Sequence, residues 1–131
     1  ILSIDIKKMD ELKNVSFLQC DFLQESTKEK ILNFFGEELD VVLSDMAADT
    51  TGNKSLDCIR TNKLCADVVE FSSKILKPNG ILVSKLFMGE DFLQVKELAR
   101  SKFKKVQFFK PEASRNESKE TYVHCAILNT L

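Results

Sequence analysis

The chain has 131 residues, enough to bury the core of one domain and too few for two ordinary domains. Its content of 44% hydrophobic and 30% charged residues is that of a globular protein and argues against disorder. Its apolar runs are far shorter than the roughly 18 residues that a membrane span requires, so we expect no membrane partner.

The predicted strands and helices alternate along the chain. Short apolar runs bounded by turn residues predict strands at 1–5, 15–22, 40–46, 80–87, 105–110 and 121–128. Apolar residues at helical spacing predict helices at 26–35, 59–76 and 90–103. Gly36 is expected to end the first helix, and the Lys-Pro-Asn-Gly segment at 77–80 the second.

The order of these elements predicts an α/β fold. Several strands are almost continuously apolar, which is typical of strands covered by helices on both faces, and therefore of a mostly parallel sheet. The last two strands are separated by a loop too short for a helical crossover. We therefore expect them to pair antiparallel and to form one edge of the sheet.

Carboxylates end three successive predicted strands, at Asp5, Asp21 and Asp45, and Lys85 lies near the end of the fourth. In open α/β sheets, ligands bind outside the carboxyl ends of the strands. One terminal Asp is often only a turn former. Three on one edge favour a ligand site.

The four cysteines, Cys20, Cys58, Cys65 and Cys125, are widely spaced and predict free thiols in a reducing cytoplasm. The single histidine, His124, lies in an apolar run without nearby ligand-type residues. We expect it to be structural and predict no metal site.

Positive charge is concentrated late in the sequence. Eight Lys or Arg residues and three Asp or Glu residues lie between Lys96 and Lys119, although the net charge of the whole chain is −1. This asymmetry fits contact with a polyanion, and it equally fits a solvated basic helix face.

Three collinear segments carry a resemblance to a known family. They read SDMAADTTG, KPNGILVSKLFMGEDF and KPEASRNESKETYV. Together they resemble the FtsJ/RrmJ-type ribose 2'-O-methyltransferases of ribosomal RNA, over roughly residues 1 to 128. Any one of these motifs is weak alone, whereas three in order, each at a strand end or start, are specific.

The resemblance implies one Rossmann-like S-adenosylmethionine-dependent methyltransferase domain over residues 1–131, acting on a uridine ribose of large-subunit ribosomal RNA. The family's first catalytic lysine and its glycine-rich motif have no counterpart here, so we expect the domain to be incomplete at its N-terminus and to bind the cofactor poorly by itself. The proline that usually follows the S-D-M-A motif is replaced by Ala48, which we expect to loosen that loop.

The resemblance also assigns roles to individual residues. Asp45, Lys85 and Glu120 match three members of the family's catalytic tetrad. Lys85 would act either as a neutral base for the ribose hydroxyl or as a cation beside the developing oxyanion. Cofactor contacts are expected from the strand-end residues Asp5, Asp21, Phe22, Asp45 and Met46.

The expected partner is ribosomal RNA or the large ribosomal subunit. Lys110, Arg115 and Lys119 flank the last loop and are candidates for phosphate contacts. Single-stranded or looped RNA is favoured because a ribose must reach a recessed site.

Three other functions share parts of this pattern. A nicotinamide-dependent dehydrogenase has a similar sheet, but the sequence contains no Tyr-x-x-x-Lys pair. A non-catalytic RNA-binding module would not need the residues matched to the tetrad. A tRNA or mRNA-cap 2'-O-methyltransferase would use the same tetrad on another RNA.

Overall fold

The computed structural model describes residues 1–112 and 119–129. They fall into two compact units, Ile1–Glu37 and Glu38–Leu131, called here the N-terminal and C-terminal units. The N-terminal unit contains β1 (Leu2–Asp5), β2 (Ser16–Gln19) and α1 (Glu25–Phe35). The C-terminal unit contains β3 (Leu39–Ser44), α2 (Lys54–Ile75), β4 (Leu76–Phe87), α3 (Phe92–Lys102), β5 (Phe103–Phe109) and β6 (Glu120–Leu128).

In the N-terminal unit, β1 and β2 form a parallel pair, with Leu2 opposite Ser16 and Asp5 opposite Gln19. Helix α1 ends at Gly36, as predicted. This glycine has a φ of 64° and its N–H donates to the Leu32 carbonyl, a conformation that glycine adopts without a Cβ penalty. Because β1 and β2 are parallel, their carboxyl ends lie at the same edge of this small sheet.

The sheet of the C-terminal unit has the strand order β3-β4-β6-β5. Strand β3 pairs parallel with β4, whereas β6 runs antiparallel to both β4 and β5. The predicted α/β class and the antiparallel pairing of the last two strands are confirmed. These two strands lie at one edge of the sheet, as predicted, with β5 as the edge strand and β6 next to it inside the sheet.

The residues of these two strands explain that arrangement. In β6, Val123 and Cys125 are fully buried, as suits an inner strand. In β5, Lys104 and Lys105 are exposed, and lysines are typical of edge strands because they discourage further pairing.

Helices α2 and α3 pack on one face of this sheet, which we call the helix face. Leu82 and Leu86 of β4 are fully buried there, together with Val69 of α2. The other face, called the open face, carries the alternate residues of the strands, including Lys85 and Tyr122, and they remain partly exposed.

Helix α2 differs from its predicted bounds. It begins at Lys54 rather than at residue 59, because the Asn53 side chain caps it by accepting a hydrogen bond of 3.1 Å from the Leu56 N–H. The segment 77–80 does not lie beyond the helix as a separate turn. Strand β4 begins at Leu76, which pairs with Leu39, so it includes residues 77–80. The register between β3 and β4 shifts at this segment.

Among the described helices, none combines the length and the apolar character that crossing a bilayer requires.

Candidate active site

The ends of β3 and β4 bring two candidate residues together. Ser44 lies opposite Ser84 in the parallel register, so the next residues along, Asp45 and Lys85, are neighbours at the carboxyl ends of the two strands. Because β6 is antiparallel to β4, its first residues lie beside the same ends. Lys85 pairs with Tyr122, and Glu120 is two residues earlier on the same side of β6.

The Lys85 ammonium group lies between two carboxylates. Its Nζ is 3.2 Å from Asp45 Oδ1 and 3.6 Å from Glu120 Oε1. The lysine side chain is only 14% exposed, whereas that of Asp45 is 73% exposed. The structure therefore places a largely covered lysine side chain beside an accessible carboxylate, and three segments of the chain contribute to this small space.

Tyr122 is a fourth member of this cluster that sequence reasoning did not assign. Its hydroxyl donates a 2.6 Å hydrogen bond to Asp45 Oδ1 and lies 3.5 Å from Glu120 Oε1. The hydrogen bond to Asp45, followed by burial and by the charges of both carboxylates, raises the pKa of Tyr122. Its position two residues after Glu120 in a strand was the available signal, because such residues share a face.

A buried polar pair on α2 supports the loops beside this cluster. Thr61 Oγ1 accepts a 3.0 Å hydrogen bond from the Ala48 N–H in the loop after β3. Asn62, which is fully buried, accepts a 2.7 Å hydrogen bond from the Phe87 N–H and donates a 2.9 Å hydrogen bond to the Phe87 carbonyl. Its amide also donates 2.8 Å to Asp91 Oδ1. Both loops at the carboxyl ends of β3 and β4 are thus fastened to one helix.

This arrangement gives the departure at Ala48 a physical meaning. A proline at this position has no N–H and cannot donate to Thr61. Alanine thus gives the loop a hydrogen bond to the buried Thr61 that a proline could not form. The expectation that Ala48 loosens the loop did not include this contact.

The strand-end acids of the N-terminal unit have local partners. Asp5 Oδ1 accepts a 3.0 Å hydrogen bond from the Lys7 N–H, and Asp21 Oδ1 accepts one of 2.9 Å from the Leu23 N–H. Both residues are exposed. These contacts are those of turn-forming carboxylates, and each leaves the second carboxylate oxygen available for other partners.

An open cavity of about 370 Å³ lies at the end of β2. Its volume falls within the range of about 300–1,000 Å³ that is usual for small-molecule sites. The half-buried Phe22 follows Asp21, and the Lys28 Nζ lies 5.2 Å from the centre of its ring. The cavity is lined by Ile6, Gln19, Cys20, Asp21, Gln24, Ser26, Thr27 and Lys30.

The other candidates are more dispersed. Met46 is half-buried, and its N–H lies 3.5 Å from Ser44 Oγ. Lys110 and Lys119 are exposed, and the Lys119 carbonyl accepts 2.9 Å from the Met88 N–H. Arg115 lies outside the described residues. Within the part of the chain that the structure describes, no three His, Cys, Asp or Glu side chains are grouped to hold a metal ion.

Sequence comparison identifies relatives of the chain. Residues 1–128 match the model of the FtsJ-like methyltransferase family. The ribosomal RNA large subunit methyltransferase E of Pelagibacter ubique is 42% identical over 128 residues, covering 98% of this chain and 63% of the relative. The Rickettsia akari protein of the same name is 42% identical over 123 residues, covering 94% and 54%. The chain thus spans little more than half the length of these curated relatives.

Solved structures show the same fold. A candidate ribosomal RNA methyltransferase from Plasmodium falciparum superposes with a TM-score of 0.83 at 24% identity, over 98% of this chain and 71% of the other. Human methyltransferase-like protein 13, solved with SAH, gives 0.61 at 15% identity, over 91% and 52%. The α/β fold is therefore Rossmann-like, as predicted. With its sequence matched over residues 1–128, the chain belongs to the FtsJ-like methyltransferase family.

Proposed function

We propose that the protein transfers a methyl group from S-adenosylmethionine to the 2'-hydroxyl of a uridine ribose in large-subunit ribosomal RNA, and that residues 1–131 belong to one methyltransferase domain. The observation that carries this proposal is the placement of the Lys85 amine within 3.2 Å of Asp45 and 3.6 Å of Glu120. The names of the 42% identical relatives support the choice of RNA.

The reaction needs help with one proton. A ribose hydroxyl is a poor nucleophile at neutral pH, so a positioned base or a cation beside the developing oxyanion accelerates its attack. Lys85 can serve in either way, because its side chain is largely covered and lies on the open face of the sheet, beside both carboxylates. Asp45 holds the lysine in place, and Tyr122 holds Asp45 through the 2.6 Å hydrogen bond. Glu120 flanks the amine on the other side and would position the ribose.

The residues of the N-terminal unit fit part of the cofactor. The polar cavity beside Asp21 suits an adenosine group, with the free carboxylate oxygen accepting from the adenine amine and Phe22 packing near the ring. Asp5 would accept from the cofactor's ribose hydroxyls, the usual role of a strand-end acid in nucleotide-binding sheets. Bound S-adenosylmethionine supplies a methyl group on a positively charged sulfur. Asp45 and Met46 would contact its methionine part.

Basic side chains near the last loop support an RNA partner, and the cysteines support a reducing compartment. Lys110 and Lys119 bracket the loop before β6, and Arg115 belongs to that loop in sequence. Such residues position an RNA strand through its phosphates. The four cysteines are free thiols, which suits the cytoplasm.

The decisive experiment compares Lys85→Ala with wild type in the full-length protein, using large ribosomal subunits and mapping the modified ribose. We expect Lys85→Ala to lower the rate by at least about a hundredfold, the effect of removing a general base. Cofactor affinity measured by calorimetry should stay close to that of wild type.

Lys74→Ala is the matched control, because Lys74 is exposed in the last turn of α2. Full turnover by Lys85→Ala would remove the lysine from the mechanism. If wild type methylates tRNA or capped RNA and leaves the large subunit unmodified, the proposed substrate is wrong.

A further inference from the structure

An exposed aromatic ring lies next to the Lys85 cluster. Phe109, the last residue of β5, has 44% of its surface exposed, although burial of a phenylalanine side chain is favourable. It is paired across the strands with Tyr122, so both side chains lie on the open face of the sheet. The rings are stacked, with centroids 5.8 Å apart and planes inclined by 22°.

The position of Phe109 is fixed on two sides. Thr121 Oγ1 donates a 2.8 Å hydrogen bond to the Phe109 carbonyl, which holds the end of β5 against β6. The stack with Tyr122 holds the ring itself. A flat ring that is already immobilised loses little conformational entropy when a ligand binds to it.

Tyr122 connects this ring to the reacting group. Its own ring stacks with Phe109, and its hydroxyl donates to the Asp45 oxygen that also contacts Lys85 Nζ at 3.2 Å. The exposed ring and the amine are therefore separated by a single tyrosine and the carboxylate. A nucleotide next to one bound at Lys85 would fall within reach of Phe109.

The surroundings of Phe109 suit a nucleic acid better than an apolar protein surface. On the same side of β5 lie Gln107 and Lys105, both exposed, and Lys110 follows directly. Lys119 is exposed beside the start of β6. One flat apolar ring among amide and ammonium groups fits a base flanked by phosphates.

We propose that the Phe109 ring, held by Tyr122, is a stacking platform for an unpaired RNA base adjacent to the ribose that is methylated. Sequence-specific recognition of RNA commonly uses unstacked bases laid on aromatic side chains. The inference rests on the proposed function, since it takes the Lys85 cluster as the position of the ribose. It adds a substrate-binding residue that contributes to affinity without touching the reacting atoms.

The test measures KM and kcat for RNA with full-length wild type, Phe109→Ala, Phe109→Leu and Phe109→Trp. Loss of one base-aromatic stack weakens binding by about five- to hundredfold. We expect a rise of that size in the KM for RNA in the Ala and Leu variants, with kcat nearly unchanged. Trp should restore the wild-type KM or lower it. Cofactor affinity should be unchanged in all four proteins.

An abasic RNA identifies the stacked base. Removing the flanking base should raise the KM of wild type as much as Phe109→Ala does, and should raise the KM of that variant no further. Phe34→Ala is the matched control, because Phe34 is 47% exposed and also has an aromatic partner, Phe35, at 4.9 Å.

The outcomes separate the two proposals. If wild type methylates RNA while Phe109→Ala and Phe109→Leu keep its KM, the platform is refuted and the proposed function stands. Additive effects of the variant and the abasic RNA also refute the platform. If wild type methylates no RNA, the proposed function itself fails.

Discussion

The two units use strand-end carboxylates in different ways. In the N-terminal unit, Asp5 and Asp21 each accept a hydrogen bond from the N–H two residues further on. In the C-terminal unit, Asp45 instead contacts Lys85 and Tyr122, which belong to other strands. A local turn can form the first arrangement, whereas the second requires the assembled sheet. The same residue type therefore forms a local turn contact in one place and a contact between strands in another.

The two units also differ in their buried cores. Among the described residues of the N-terminal unit, Ile31 is the buried apolar side chain, whereas the C-terminal unit buries residues from both helices and from β4, β5 and β6. A site that must hold an amine to within fractions of an ångström benefits from such support. We therefore expect substitutions that lower stability to lie mainly in the C-terminal unit and those that only weaken cofactor binding to lie mainly in the N-terminal unit.

The largest effect is expected for Asn62→Ala. The change removes three hydrogen bonds in a fully buried position and leaves the Phe87 N–H unpaired. We expect the free energy of unfolding to fall by about 2–4 kcal/mol, measured by urea denaturation. Asn33→Ala, at an exposed position of α1, should change it by less than about 0.5 kcal/mol. Equal effects of the two substitutions would contradict the role given to Asn62.

A smaller effect is expected for Tyr122→Phe, which keeps the ring and removes the hydroxyl bound to Asp45. The free energy of unfolding should fall by about 0.5–1.5 kcal/mol. Methylation should slow because Asp45 no longer holds Lys85 as firmly, while the KM for RNA should change little, since the stack with Phe109 remains. An unchanged methylation rate would show that the hydroxyl does not position the carboxylate.

The raised pKa of Tyr122 adds a dependence on pH. Below the ordinary tyrosine pKa of about 10, the phenol is protonated in both the folded and unfolded states, and its contribution to stability is complete. As pH rises above that value, the unfolded state ionises first, so the folded state loses stability. Wild type should lose more stability than Tyr122→Phe on going from pH 8 to pH values above about 10. The difference in phenolate absorbance between the two proteins measures this pKa directly.

The smallest effects are expected in the N-terminal unit. Asp5→Ala and Asp21→Ala should each weaken S-adenosylmethionine binding by about two- to tenfold, the value of one hydrogen bond. Calorimetry on the full-length protein measures this affinity. Asp10→Ala is the control, since Asp10 is exposed in the same unit. An affinity equal to that of wild type would leave Asp5 or Asp21 with only its turn-forming role.

The sequence predicted much of this fold because its signals are local. Each predicted strand and helix is present, and Gly36 ends α1 through a conformation that glycine favours. The starting residue of α2 was missed because a side-chain cap at Asn53, rather than apolar periodicity, begins it. The convergence of Asp45 and Lys85 was predictable from two strands ending side by side. Their roles in catalysis stay predictions.

Tertiary structure alone decided the remaining features. The order of β5 and β6 depends on which of the two strands pairs with a neighbour on both sides, and no local sequence pattern determines that. Asn62 lies on α2 and binds residues 25 and 29 positions away, so its role exists only once α2 packs against β4. Periodicity and turn chemistry thus determined the elements and the acids at their ends. Long-range hydrogen bonds and burial determined which of those acids face a lysine, because such contacts form only after the sheet has assembled.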